Sequence, residues 1–219
     1  MLLERTSIEL EMTHRMPADP WGSKVGGRPY LVQPDDHPVD RFGNPLAFIA
    51  QLNFAELPNL LGFPGQGLLQ FFITTGLDDD CVVVYHPTVV TDWTCERSAV
   101  GRPIASPHRR RQGFTPLVHP DSEFGLVGRL MSQRPRRGEY GGDGQGIRGH
   151  RVGGYPNFNQ NGSLPADHVL LFQLDSDPHE PHADWRVIWG DLGTGRFSIA
   201  TEDLLRCDFS AVHYEWDCC

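Results

Sequence analysis

Lysine is nearly missing from this chain of 219 residues: Lys24 stands alone among 19 basic side chains, and the rest are arginine. Chemistry that needs a lysine amine, Schiff-base formation above all, therefore has one residue to rest on. Cysteine is sparse too. The five, at positions 81, 95, 207, 218 and 219, form an odd set with no Cys-x-x-Cys pair, which removes a structural zinc signature and a disulfide framework. Free thiols fit a reducing compartment, and the cytoplasm is the expected location. No apolar run approaches the length of a membrane span. Residues 1–12 are interrupted by Glu4, Arg5, Glu9 and Glu11, so they lack the apolar core of a signal peptide. No Gly-x-Ser-x-Gly elbow surrounds Ser23, Ser163, Ser198 or Ser210. Gly144-x-Gly146-x-x-Gly149 matches the dinucleotide fingerprint in its letters. No strand precedes it and an extended segment follows, so it reads as a loop. No cofactor and no metal are expected.

What is abundant is punctuation. Glycine (24) and proline (18) point to many short strands joined by turns rather than long helices. The formal charge of −9 argues against nucleic acid or an anionic membrane as the partner of the whole protein. That charge is unevenly spread. Residues 97–151 carry 11 arginines against Asp121, Glu123, Glu139 and Asp143, a local balance of +7 that leaves −16 for the rest.

The chain also repeats itself. Lys24-Val25-Gly26-Gly27-Arg28-Pro29-Tyr30 returns 127 positions later as Arg151-Val152-Gly153-Gly154-Tyr155-Pro156-Asn157. Ala50-Gln51-Leu52-Asn53 returns as Phe172-Gln173-Leu174-Asp175, Gly67 to Ile73 as Gly195 to Ile199, and Val84-Tyr85-His86 as His213-Tyr214-Glu215. Four echoes in one order imply a duplicated unit. The expected fold is mainly β, with two related antiparallel-sheet units packed as one pseudo-symmetric globule with few short helices. Residues 1–95 hold the first unit and its N-terminal segment, 96–149 an arginine- and glycine-rich connector, and 150–219 the second unit. Strands are predicted over 46–52, 68–74, 81–85, 169–174, 186–189, 196–200 and 211–214. Residues 1–15 read as a strand or short helix on the edge of the first unit, and 124–131 as a short helix or strand within the connector. Thr201 is predicted to cap a helical turn over 201–205.

Together these blocks resemble the YwqG-like family of uncharacterised bacterial proteins. The resemblance rests on Lys24 to Pro29, Gln51-Leu52-Asn53 with Leu69-Gln70-Phe71-Phe72, and Gly153-Gly154-Tyr155-Pro156. It continues through Gln173-Leu174-Asp175-Ser176-Asp177, Trp189-Gly190-Asp191-Leu192-Gly193 with Phe197, and the terminal Trp216-Asp217-Cys218-Cys219. It implies a β-rich, internally duplicated fold and carries over no catalytic residues. Some relatives occur beside secreted toxins, which implies an immunity-type role. The arginine-heavy middle departs from the family pattern.

Several candidate sites follow. Each Gly-Gly-x-Pro block reads first as a tight turn at the start of its unit. Its second reading is an anion site, with backbone N–H groups helped by Lys24, Arg28 and Arg151. Asp175 and Asp177 close a buried strand at a loop mouth. With Asp191 they have the chemistry of a hard-cation site, or simply that of acidic loops that accept backbone hydrogen bonds. His179-Glu180-Pro181-His182-Ala183-Asp184 has metal-ligand types, but Pro181 and the spacing make it a polar hairpin tip. His86 and His213 stand at equivalent strand ends and read as packing groups. The favoured function is non-catalytic binding of another protein, through the acidic loops Asp78, Asp79, Asp80 and Asp184 or the cluster Arg109, Arg110 and Arg111. The alternative is a small-ligand or metal-binding protein, or an enzyme, using a cleft between the units lined by Lys24, Arg28, Arg151, Tyr155, Asp175, Asp177 and Asp191.

Overall fold

Apolar runs bounded by glycine, proline or aspartate settle as strands, because β-branched and aromatic side chains suit a pleated surface. A computed structural model describes residues 4–74, 80–91, 117–118, 123–133, 148–160, 162–179 and 184–218. In chain order the strands are β1 (Arg5–Thr13), β2 (Lys24–Gly26), β3 (Ala47–Asn53), β4 (Leu68–Ile73), β5 (Cys81–His86), β6 (Leu117–Val118) and β7 (Glu123–Gln133). They continue as β8 (His150–Gly153), β9 (His168–Asp175), β10 (Asp177–His179), β11 (Asp184–Ile188), β12 (Thr194–Ala200) and β13 (His213–Asp217). One short helix, α1 (Thr201–Leu205), separates the last two.

Ten strands form one sheet in the order β13-β12-β9-β8-β1-β7-β2-β3-β4-β5, and β10, β11 and β6 form a small second sheet. The large sheet is antiparallel and nearly closed into a barrel. Across the remaining gap, Cys81 Sγ on β5 lies 3.5 Å from the Val212 carbonyl just before β13, and the Tyr85 and Phe209 rings are 5.0 Å apart. Near-closure shelters both edge strands from further pairing.

The strand order reads alike from either end. On one side of the central β1–β7 pair stands a first lobe, β2-β3-β4-β5; on the other stands a second, β8-β9-β12-β13. Two expectations change here. The N-terminal segment is not an edge element: β1 is central, paired with β7 from Arg5–Gln133 to Thr13–Gly125 and with β8 on its other side. Residues 123–133 form a strand, one of the two expected alternatives, and it too is central in the sheet. Pairing between segments more than a hundred residues apart decides both placements, and no local pattern reports it. At α1 the N-cap is Ala200, not Thr201, whose hydroxyl instead donates to the Asp167 carbonyl at 3.0 Å.

The inward face is apolar and continuous. Ile8, Leu52, Phe71, Phe172, Leu174 and Phe197 are fully buried in one cluster. The Phe71 ring of the first lobe lies 4.7 Å from Phe172 and 4.8 Å from Phe197 of the second, so the two lobes share a core. No helix among the described residues is long and apolar enough to cross a membrane.

The outward faces of the lobes are polar yet buried, because each is covered by the loop that follows its Gly-Gly turn. Gly26 and Gly27 adopt φ of +71° and +68°, and Gly153 and Gly154 adopt +70° and +75°, a region closed to most side chains. The turn brings Tyr30 over β3 and Asn157 over β9. Gln51 Oε1 accepts from the Tyr30 N–H at 3.0 Å, and Gln173 Oε1 accepts from the Asn157 N–H at 2.7 Å. The carbonyls are held as well: Gln70 Nε2 donates to Tyr30 O at 2.7 Å, and Arg196 Nη1 donates to Asn157 O at 2.8 Å. The glutamine amides finish the pattern by donating to Gly22 O and Gly149 O, each at 2.8 Å. A buried amide so saturated fixes one loop path, since any other leaves several polar groups unpaired.

Candidate binding site beside the second lobe

The cations singled out by the repeat are interior groups. Lys24 is 3% exposed and donates to Glu123 Oε1 at 2.9 Å. Burial pushes its ammonium below the ordinary range, against the pull of that carboxylate. Arg151 is fully buried. It donates through Nη2 to the Arg148 carbonyl, and burial pushes its guanidinium down to about 10, opposed by Glu9 and Asp175. Arg196, in the third strand of the second lobe, is held by Asp217 at 2.6 Å and Glu215 at 3.4 Å and lies over the Phe158 ring.

Of the expected cleft residues, the structure brings Asp175 and Asp177 to one cavity, with buried Arg151 within electrostatic reach of Asp175, and disperses the others. Arg28 and Asp191 are exposed in separate turns, and Tyr155 is packed under the Arg5 guanidinium, 4.4 Å from its ring centre. Asp175 is spent on structure: its carboxylate accepts from Gly149 N, Ser176 N and Thr194 Oγ1 at 2.7–3.0 Å. The described residues contain no group of three or more His, Cys, Asp or Glu placed to hold a metal ion. Asp80 lies before β5 of the large sheet, and Asp184 opens β11 of the small one. Asp78, Asp79, Arg109, Arg110 and Arg111 lie outside the described residues, as does most of the 179–184 hairpin tip.

Asp177 does line an opening. A cavity of about 320 Å³ lies where β1, β8, β9 and β10 meet, walled by Glu11, Met12, His150, Asp177 and Arg186 among others. The Asp175 N–H donates to His150 Nδ1 at 3.1 Å, which leaves the ring proton on Nε2, 3.4 Å from Asp177 Oδ2. Arg186 reaches Asp177 at 3.1 Å and the Met12 carbonyl at 3.0 Å. Burial resists ionisation of Asp177, but His150 and Arg186 outweigh it and hold the carboxyl below its usual range. His150, Arg186, Glu123 and Gln133 were not singled out from the sequence. His150 had a signal, since it immediately precedes the repeated cation; nothing local marks Arg186 as its neighbour.

The remaining reactive types are subdued. Burial, then Asp80, pushes the Cys81 thiol up to about 12, so it behaves as a packing group. His86 Nε2 donates to Gln70 Oε1 at 3.0 Å, and burial pulls its pKa down.

Residues 23–218 match the model of one protein family, described as a domain of unknown function (DUF1963). The chain belongs to that family. The matched span takes in the strands of both lobes and β7, and it begins after β1, although β1 sits at the centre of the DUF1963 sheet seen here. No curated protein matches the chain.

Proposed function

We propose that this DUF1963 protein is a non-catalytic binding protein of YwqG-like type, built by internal duplication and acting in the bacterial cytoplasm. In this reading its acidic surface captures a basic segment of another protein, as an immunity protein would. The observation that carries the proposal is an open strip between two capped lobes. The outward faces of both lobes are sealed by their loops, whereas β1 and β7 present Glu9, Glu11, Val127 and Arg129 to solvent, with Val127 at 59% exposure. Glu11 continues from the strip into the Asp177 cavity. Carboxylates flanking a small apolar surface, on a chain of net charge −9, favour a partner with arginines or lysines beside an apolar residue.

The test is co-purification with the products of neighbouring genes, comparing wild type with Glu9→Lys/Glu11→Lys. The expected result is a partner retained at low salt, released as salt rises, and lost from the double variant. Retention unaffected by charge reversal would sink the reading.

A second reading has one observation in its favour. The cavity beside Asp177 is within the size range of small-ligand pockets and has convergent polar groups. Saturable heat on titration with a small polar metabolite, lost in Asp177→Asn, would favour it over protein capture.

A further inference from the structure

The cavity beside Asp177 exists because the two lobes differ at one register position. Lys24 stands opposite Gly125 on β7 and Arg151 opposite Glu9 on β1, so Gly128 on the first lobe's border corresponds to Met12 on the second's. Gly128 is covered by Leu57 and Pro58 from the loop after β3, whose atoms lie 2.7 and 3.2 Å from where a Cβ would stand. After β9 the chain instead turns into β10, which leaves a cavity of about 320 Å³ beside Met12, Asp177 and Arg186.

What the wall can offer a ligand depends on which of its polar groups are already engaged. The Asp175 carboxylate accepts from Gly149 N, Ser176 N and Thr194 Oγ1. Ser176 Oγ donates to Gly193 O and accepts from Trp189 N. His150 accepts the Asp175 N–H at Nδ1, so its ring is neutral, and its Nε2 proton points to Asp177. Arg186 gives Nη1 to the Met12 carbonyl and Nη2 to Asp177, while its Nε is buried out of a ligand's reach. The side-chain donors of the wall are therefore spent.

The acceptors are not. Glu11 stands exposed at the rim, with no ion pair to any described residue. A carboxylate has about four acceptor positions, and Asp177 uses only those facing His150 and Arg186. Three carboxylates in the wall, Glu11, Asp175 and Asp177, stand against the one guanidinium of Arg186, a balance of −2. An anion would enter against that charge and find no side-chain donor. A neutral molecule would leave the charge unanswered.

We propose that this cavity takes a small organic cation, an ammonium or guanidinium at the end of a short aliphatic chain. The charged head lies between Glu11 and Asp177, and the chain lies along Leu10 and Met12. The inference rests on the second reading above, in which the cavity holds a small ligand, and it names the ligand's class. Attraction between opposite charges is stronger in a partly enclosed site than on an open surface. The volume, at the low end for small-molecule pockets, suits a head group with a short chain. The same chemistry has two sources, a free amine or guanidine and the arginine or lysine side chain of a partner protein.

The test is a titration of the isotope-labelled full chain, followed by amide chemical shifts at constant ionic strength. The probes are butylammonium chloride, butylguanidinium chloride, the neutral butylurea and sodium butyrate. Either cation is expected to give saturable shifts at Gly149, His150, Ser176 and Asp177, with butylurea and butyrate binding about tenfold more weakly or not at all. Glu11→Gln, at an exposed residue with no ion pair to lose, is expected to weaken cation binding about tenfold. Glu202→Gln, an equal change of charge on α1, is expected to leave it unchanged. A blocked peptide of one arginine between two glycines identifies the source. Binding as tight as that of butylguanidinium assigns the site to a partner's arginine, and exclusion of the peptide assigns it to a free cation. Butylurea or butyrate binding as tightly as the cations, or cation binding untouched by Glu11→Gln, would overturn the inference and leave the small-ligand reading standing. No saturable shift with any of the four probes would overturn both.

Discussion

The first and second lobes follow one backbone plan and differ in how they close their charge. Both place two glycines at φ near +70°, clamp the seventh residue of the repeated motif with a glutamine, and bury a cation at the motif's start. The first lobe balances that cation internally, Lys24 on Glu123. The second has a guanidinium at the motif's start and the Gln133 amide beneath its turn, and Arg151 Nε, Arg151 Nη1 and Gln133 Nε2 have no hydrogen-bond partner. Shared hydrogen-bonded backbone is therefore what defines the fold here, and the charge beneath the turn is what the two lobes are free to vary. Asp177 with His150 and Arg186 is a further asymmetry, confined to the second lobe's border with β1.

The largest expected effect separates the lobes. Glu123→Gln leaves Lys24 buried without its carboxylate, and the loss of stability is expected to be about 3–5 kcal/mol in denaturant unfolding. A loss below 1 kcal/mol would mean that the pair is not the first lobe's charge closure. Next come the clamps, where the lobes should agree. Gln51→Ala and Gln173→Ala each unpair a loop N–H and a carbonyl, for about 2–3 kcal/mol apiece. A clear inequality between them would break the equivalence drawn from the hydrogen bonds. Smaller again is Gly195→Ala. The Trp189 indole lies against the position a Cβ would occupy, so overpacking is expected to cost about 1–3 kcal/mol by thermal melt.

The smallest effect concerns pH. A carboxyl held below its ordinary range stabilises the fold above the unfolded-state pKa of about 3.9, and that contribution disappears as pH falls through the folded value. Asp177 is such a group. Wild type should therefore lose stability on acidification below about pH 4 more steeply than Asp177→Asn. Parallel acid limbs would remove Asp177 from the account.

Much of this was legible in the chain. The Gly-Gly-x-Pro echo named both turns, and the apolar runs around Gln51, Gln70, Gln173 and Phe197 named their strands to within a residue or two. The roles of the polar residues were harder to see. Gln51 and Gln173 stood out as echoes, but nothing local says that a glutamine in a buried strand will grip a loop 21 residues before it, or 16. Lys24, Arg151 and Asp175 looked like cleft ligands because their chemistry is that of ligands; burial and backbone donors turned them inward. β1 and β7 escaped placement because their partner lies more than a hundred residues away, and Glu123 and Gln133, at the two ends of β7, went unnoticed with it.

The most direct measurement is the unfolding midpoint of Gln133→Glu against wild type in a chloride buffer free of other anions. If the second lobe lacks only a negative charge beneath its turn, the variant unfolds at a higher temperature than wild type. A midpoint lowered as far as that of Glu123→Gln would contradict the account, because the second lobe would then depend on the neutral Gln133 amide as the first depends on the Glu123 carboxylate.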